Sequence, residues 1–427
     1  MRVNGKLWNT RLISNRIATG LPLAFAGILA AVPLACPTRA PEPSVRRTES
    51  ERSRIRDARA DDRRVEPSQP DVPPSLPDAT QVASPTPYSR AALPILDIHT
   101  HVDPTATRTV LSLFDARGIH TAVNLSAGFE GAGLEEALAQ QRESRGRILP
   151  FCTLPWRATG HPQFVTESVR ILERCRALGV RGLKIPKVLG LGARDIDGSR
   201  LRVDAPRLDP IFAAAERLGM MVLIHTGDPK AFFQPPNPQN ERWEELQAHP
   251  SWSFYGAEWP SFDEILGEFE RRVLRHRRLV FVGAHFGNAA EEPDRVARLL
   301  ERAPRYHIDT SARVPEFGRH PSARMRAFFT RWQDRILFGT DLGLGDDMGE
   351  WMLGSHGNER TTQRDVDRYF SATFRYYEAN DPEWENPTPI QGRWNTHPIA
   401  LPRDILAKVY GANAARLLGI TWPPPTQ

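Results

Sequence analysis

From residue 95 onward the chain repeats one pattern, a short apolar run followed by a longer amphipathic one. Eight apolar runs occur, at 95–102, 121–126, 148–154, 182–186, 221–226, 279–285, 306–310 and 336–340. Each is apolar on both faces and bounded by Gly, Pro or polar residues, as parallel strands covered by helices are. The stretches between them have helical spacing. In 166–178, Val169, Leu172 and Cys175 recur every three residues and Gly179 follows as a stop signal; 210–218 and 293–303 are similar. Eight strand–helix alternations predict an α/β fold, a (β/α)8 TIM barrel rather than a doubly wound sheet. Two connections are long, 227–270 after the fifth strand and 345–402 after the eighth. Their aromatic residues, Phe232, Phe233, Trp243, Trp252, Phe254, Tyr255 and Trp259 in the first and Trp351, Trp384 and Trp394 in the second, read as pocket walls.

The first ninety residues are of another kind. Arg2, Lys6, Arg11 and Arg16 precede an apolar stretch at 21–35, with no acid before Glu42. That stretch is too short and too interrupted by Pro for a membrane span and reads as a secretory signal. Cys36 stands where a lipoprotein signal places its lipidated cysteine; Ala35 fits that pattern and Pro33 departs from it. The expectation is an exported chain of the cell envelope, attached to the membrane through a lipidated Cys36 or released as a periplasmic or secreted protein. Residues 37–92, rich in Pro, Ser and charge and poor in large apolar residues, read as a disordered linker. The folded domain is then 93–422. Residues 1–92 hold 14 of the 56 basic and 9 of the 51 acidic residues, so the rest is formally neutral and gives no reason to expect nucleic acid as a partner. Cys152 and Cys175 form no disulfide framework and read as buried thiols.

Polar residues gather at the ends of the strands. His99 and His101 stand two apart on the first run, so alternation turns them to one face and Leu96, Ile98 and Thr100 to the other. Lys184 ends the fourth run, His225 the fifth and His285 the sixth, and Asp341 follows the eighth. Any one of these alone means little. Together, at the same end of successive strands, they predict a cluster of imidazoles and one carboxylate suited to Zn²⁺ or a related divalent ion.

With the closing segment 401–419 and its Asn413-Ala414 pair, these residues resemble the amidohydrolase superfamily, in its amidohydrolase-2 (amidohydrolase-related) branch of metal-dependent TIM-barrel hydrolases, over roughly residues 93–420. The resemblance implies that His99, His101, His225 and Asp341 bind the metal, one ion being favoured over two. It gives Asp341 a second role on the nucleophilic water. It makes His285 a ligand to a second ion, or a group that orients water and polarises substrate. Lys184 is open between a bridging carbamate, a substrate-binding lysine and a structural one; Lys187 is a further candidate for substrate contact. TatD-like nucleases share the His-x-His pattern but carry a glutamate on the fourth strand, so the lysine at this position and the neutral barrel count against a nuclease. The implied activity is hydrolysis of a small amide, lactone or ester, with Asp341, His285 and Lys184 as catalytic candidates. Decarboxylation or hydration is the alternative, and a non-catalytic envelope lipoprotein using the barrel as a binding scaffold is the third reading. Asp97 reads as a core or supporting residue, and Asp228, Asn288, Asp309 and Ser311 as groups that could orient histidines. Arg313 and Arg393 could grip a substrate carboxylate, although the simpler reading of each is a surface arginine.

Overall fold

All eight expected strands form, in order and parallel. They are β1 (Ile95–Val102), β2 (Ile119–Asn124), β3 (Ile148–Pro150), β4 (Gly182–Ile185), β5 (Met221–Ile224), β6 (Phe281–Gly283), β7 (Tyr306–Asp309) and β8 (Ile336–Leu337), with β9 (Leu342–Leu344) just beyond. The computed structural model describes residues 91–354 and 359–424. The expected signal segment, Cys36 and linker residues 37–90 lie outside the described residues. Among the described residues no helix is long and apolar enough to cross a membrane.

The strands make two sheets, β9-β1-β2-β3 and β4-β5-β6-β7-β8, an edge strand extending the first. Backbone bonds join the sheets at both seams. Cys152 N donates to Gly182 O at 3.0 Å and Lys184 N to Cys152 O at 2.7 Å, linking β3 to β4. Ile98 N donates to Phe338 O at 3.0 Å and Asp341 N to His99 O at 2.7 Å, linking β8 to β1. β9 carries the second seam onward, pairing with β1 from Thr100 to Val102. Eight parallel strands joined in this way are consistent with a (β/α)8 barrel. Strand eight is broken into β8 and β9 at Asp341, whose φ is +63°.

Helices Phe164–Ala177, Asp209–Arg217 and Pro293–Arg302 lie where the apolar spacing puts them. The two long connections are not the plain loops expected. The first ends in helix Phe262–Arg275, capped by Ser261, whose hydroxyl accepts from Glu264 N. The second carries helix Gln363–Glu378, opened by a capping box between Thr362 and Asp365. Each buries a stripe at helical spacing, Phe262, Ile265, Phe269 and Val273 in one and Val366, Phe370, Phe374 and Tyr377 in the other.

Apolar side chains sort into two clusters. The larger lies between strands and helices. The smaller unites Leu96, Ile98, Val123, Phe151, Leu223, Val282 and Leu337 with Ala414 and Leu418 of the last helix, as the inside of a strand ring closed at one end must. This corrects one expectation: Leu96 and Ile98 share the inner side with the histidines. A register shift between Asp97 and Thr100 rotates β1 by one residue. Asn413 fastens the last helix to strand eight, its Nδ2 donating to Gln333 O and Ile336 O. Cys152 and Cys175 are buried free thiols.

Candidate metal centre

The strand ends converge. His99 Nε2 lies 3.1 Å from Asp341 Oδ1, and His101 Nε2 lies 3.4 Å from the same oxygen. Lys184 Nζ is 3.0 Å from His99 Nε2. The His99 and His285 rings are 5.0 Å apart, and those of His285 and His225 4.2 Å apart. Ligand atoms of His99, His285 and Asp341 lie within 4.8 Å of one another. His101 and His225, expected as ligands, flank that trio, His101 against Asp341 and His225 against His285. Local backbone aims two of the three. His285 (φ +55°) opens a left-handed turn that runs through Phe286 (+59°), Gly287 (+71°) and Asn288 (+63°), and Asp341 stands in the same region. That conformation is costly for non-glycine residues, which keep it only where their surroundings hold them.

β7 supplies the hold. Asp309, fully buried, accepts from His99 Nδ1 at 2.9 Å, from His285 N at 2.9 Å, and from Ser311 N and Oγ at 3.0 and 2.6 Å. With Nδ1–H given to Asp309, His99 turns Nε2 to the centre, a lone pair when the imidazole is neutral. Burial and Lys184 oppose its protonation, but Asp309 and Asp341 outweigh them and hold it above the ordinary histidine value. His285 is fixed likewise: its Nδ1 lies 3.0 Å from Ser311 O, a carbonyl that can only accept. Its Nε2 therefore carries the lone pair and serves as a ligand or base, not as a donor to an oxyanion. The Nε2 atoms of His225 and His285 are buried and make no hydrogen bond of normal geometry, Asp228 standing 3.5 Å from the first. Two imidazole nitrogens without a hydrogen bond, the Nε2 of His99 and a carboxylate oxygen beside them are a donor set that a divalent cation satisfies, displacing any proton on His99; the residues fit a metal.

Charge follows the same layout. Burial drives the His225 imidazole down to about 4 against the pull of Asp228, and burial with the neighbouring His225 drives His285 well below the ordinary value. Burial would raise Asp341, but His99, His285 and His101 reverse this and hold its carboxyl well below the usual range. Burial lowers Lys184 to about 8, against Asp341 and Asp309. At neutral pH the centre thus has neutral His225 and His285 facing an ionised Asp341.

The supporting residues divide. Asp309 and Ser311 orient histidines as expected. Asp228 lies 3.5 Å from His225 Nε2 and pairs with Lys187 at 2.5 Å. Asn288 instead fixes backbone, its Oδ1 accepting from Thr226 N beside His225. Asp97 braces the β1–β8 seam, accepting from Thr340 N and Oγ1 and from His99 N. Burial raises it to about 7. Arg393 is an exposed arginine, paired with Glu244. Arg313 is not a surface residue: it is 8% exposed, because the turn after β7 folds it under the mouth. Ser126 was not singled out by sequence. It lies two residues past β2 and its Oγ meets His101 Nδ1 at 2.7 Å; the signal was there, one more polar residue just beyond a strand end.

No curated protein matches the chain in sequence. Among solved structures, a 2,6-dihydroxybenzoate decarboxylase from Rhizobium is 18% identical, the likeness covering 77% of this chain and 99% of that one at a TM-score of 0.46. For 5-carboxyvanillate decarboxylase from Sphingomonas paucimobilis the figures are 16%, 77%, 100% and 0.44. For 4-oxalomesaconate hydratase from Rhodopseudomonas palustris they are 15%, 76%, 95% and 0.46. The family model Amidohydro_2, described as Amidohydrolase, matches residues 128–420. That span begins after β1, so His99 and His101 precede it, while Lys184, His225, His285 and Asp341 fall within it. It takes in more than half of the 427 residues, and on that ground the chain belongs to the amidohydrolase family.

Proposed function

We propose that this chain is a metal-dependent hydrolase on a (β/α)8 barrel, cleaving a small amide, lactone or ester with water. The observation that carries the reading is the pair of buried Nε2 atoms on His225 and His285, neither of them hydrogen-bonded, beside an ionised Asp341. His99, His101, His225 and Asp341 would hold one divalent ion, Zn²⁺ by the preference of imidazole-rich sites. His285 would hold a second ion if there is one. Such an ion supplies a lowered pKa for water and a Lewis acid for the carbonyl. The chain's own groups do the rest. Asp341 accepts a proton from the attacking water and returns it to the leaving group. Asp309 and Ser311 keep His99 and His285 in the tautomers that face the centre. Lys187, over the rings of Trp252 and Phe254 at 5.9 and 5.7 Å, lines the approach.

A second reading keeps the fold and the metal and makes the reaction a lyase. Lys184 favours it, since an ammonium held near 8 can give a proton to a carbanion left by loss of CO₂. The test is one screen. Metal-supplemented full-length protein is offered small amides, lactones, esters and aromatic carboxylates, with released amine, alcohol and CO₂ each measured. His225→Ala and Asp341→Asn are the controls. Amine or alcohol release that needs both residues and is lost with chelator supports the hydrolase; CO₂ release moves the reading to the lyase. Full activity in either variant overturns the roles proposed for His225 and Asp341.

A further inference from the structure

Among the described charged side chains around the centre, Arg313 forms no ion pair. Asp309 is paired with His99, Asp341 with His99 and His101, and Asp228 with Lys187. The other buried arginines are paired too, Arg242 with Glu245 and Glu316, and Arg272 with Asp209. Arg313 is nearly as deep as these, at 8% exposed. Among the described residues its guanidinium makes one hydrogen bond, from Nη1 to the neighbouring Ala312 O at 3.1 Å, and no ion pair. The charges whose field reaches it are the like charge of Arg242 and the carboxylates of Asp228, Glu291 and Asp341, of which Asp228 and Asp341 stand at the mouth. Its place is fixed tightly. Ser311, two residues back, contacts both His99 and His285, and Ala312 turns the chain between them at φ +53°.

Burial strips a guanidinium of water, and among the described residues one carbonyl bond and the fields of Asp228, Glu291 and Asp341 offset that loss without a direct ion pair. The donor fork of arginine matches a carboxylate in two parallel hydrogen bonds. We propose that Arg313 is the specificity-determining residue of the site and receives a carboxylate of the substrate. This rests on the function proposed above for where the reacting carbonyl sits. The charges agree. Lys184, Lys187 and Arg313 stand against Asp228, Asp309, Asp341 and Glu291, three positive charges against four negative, so a divalent ion at the centre leaves the mouth net positive. The substrate class narrows to small carbonyl compounds that carry a carboxylate, with an apolar body against Trp252 and Phe254.

The test is calorimetric binding of benzoate and of benzamide, which share a ring and differ in charge, to the full-length chain, with and without chelator. Wild type is expected to bind benzoate at least tenfold more tightly than benzamide in both conditions. Arg313→Met should lose at least tenfold for benzoate and stay within twofold for benzamide; Arg313→Lys should fall between. Arg313→Met should also melt no lower than wild type, because it removes an unpaired buried charge. Asp341→Asn, which alters the reacting centre, should keep the preference for benzoate. The proposal is overturned if wild type shows no preference, if Arg313→Met retains it, if chelator abolishes it, if Asp341→Asn loses it, or if Arg313→Met melts lower while binding benzoate normally, the mark of a structural cation. Failure of the hydrolase reading shows separately, as absence of metal-dependent turnover while the benzoate preference still follows Arg313.

Discussion

Replacing Asp309 with asparagine should loosen metal binding without unfolding the chain, through a tautomer. One carboxylate oxygen faces His99 Nδ1 at 2.9 Å; the other takes three donors, His285 N, Ser311 N and Ser311 Oγ, at 2.9, 3.0 and 2.6 Å. Asparagine has one acceptor oxygen. Setting it against the three donors is the less costly choice, and its amide nitrogen then faces His99. The imidazole answers by moving its proton to Nε2, the atom 3.1 Å from Asp341 Oδ1 and 3.0 Å from Lys184 Nζ, and a protonated Nε2 cannot ligate. Loss of a hydrogen bond to a charged group costs roughly 1.5–3 kcal/mol. Loss of a partner that orients a ligating histidine weakens metal affinity by roughly 10–100-fold, or about 1.4–2.7 kcal/mol. The two ranges overlap, so a weakening of about 15–100-fold is expected. Burial would raise Asp309, but His99 and Ser311 hold it below the ordinary carboxylate value; it is ionised at neutral pH, where the assay is run. The assay is competition for Zn²⁺ against a chromophoric chelator, with circular dichroism to establish that the variant is folded. A folded Asp309→Asn whose affinity stays within threefold of wild type would refute the reasoning.

Three further outcomes follow from other parts of the molecule. A Cβ added at Gly339 would stand 3.1 Å from His99 Cβ and 3.3 Å from Ser311 Cβ, so Gly339→Ala should cut metal affinity or turnover about tenfold, on the scale of a misplaced ligand, in a chain that still folds; unchanged values for both would show that the centre has slack. His307, buried at the start of β7, is pushed down to about 3 by burial, with Arg335 and Arg416 adding and its bond to Arg305 O opposing. Its folded pKa lies below the unfolded value near 6.5, so its neutral form is favoured by folding; that stability is present above pH 6.5 and is lost as pH falls toward 3, by about 1 kcal/mol between pH 6.5 and 5.5 and at most about 5 kcal/mol in all. Urea titrations of wild type and His307→Gln should diverge in that window, and parallel acid limbs would exclude the assignment. Arg242 stands fully buried between Glu245 and Glu316, so Arg242→Met strands two carboxylates and should cost roughly 3–5 kcal/mol in urea unfolding; a cost under about 1 kcal/mol would mean that the carboxylates find protons or water instead.

Much of the architecture is legible in the chain because the rules that produce it are local. A run apolar on both faces is buried on both faces, and eight such runs stand where β1 to β8 form. Candidate site residues were readable for a related reason: polar groups at the ends of buried strands have few places to go except a shared mouth. Lys184, His225, His285 and Asp341 all follow that rule. Helices Phe262–Arg275 and Gln363–Glu378 escaped because the aromatic residues around them suggested loop walls, and only their docking shows which residues turn inward.

Everything that depends on how distant segments meet was decided by the tertiary structure. Strict alternation puts Leu96 and Ile98 away from the histidines, but pairing with β2 shifts β1 by a residue and brings both kinds to the inside. The left-handed backbone at His285 and Asp341 is imposed by neighbours and is written in no propensity. The tautomers of His99 and His285 are set by Asp309 and Ser311, 210 and 26 residues away. Arg313 reads like any surface arginine until the turn after β7 buries it. Periodicity in a sequence records which side of an element is apolar; which polar atoms then face one another, and which of them lack a partner, is a property of the closed chain alone.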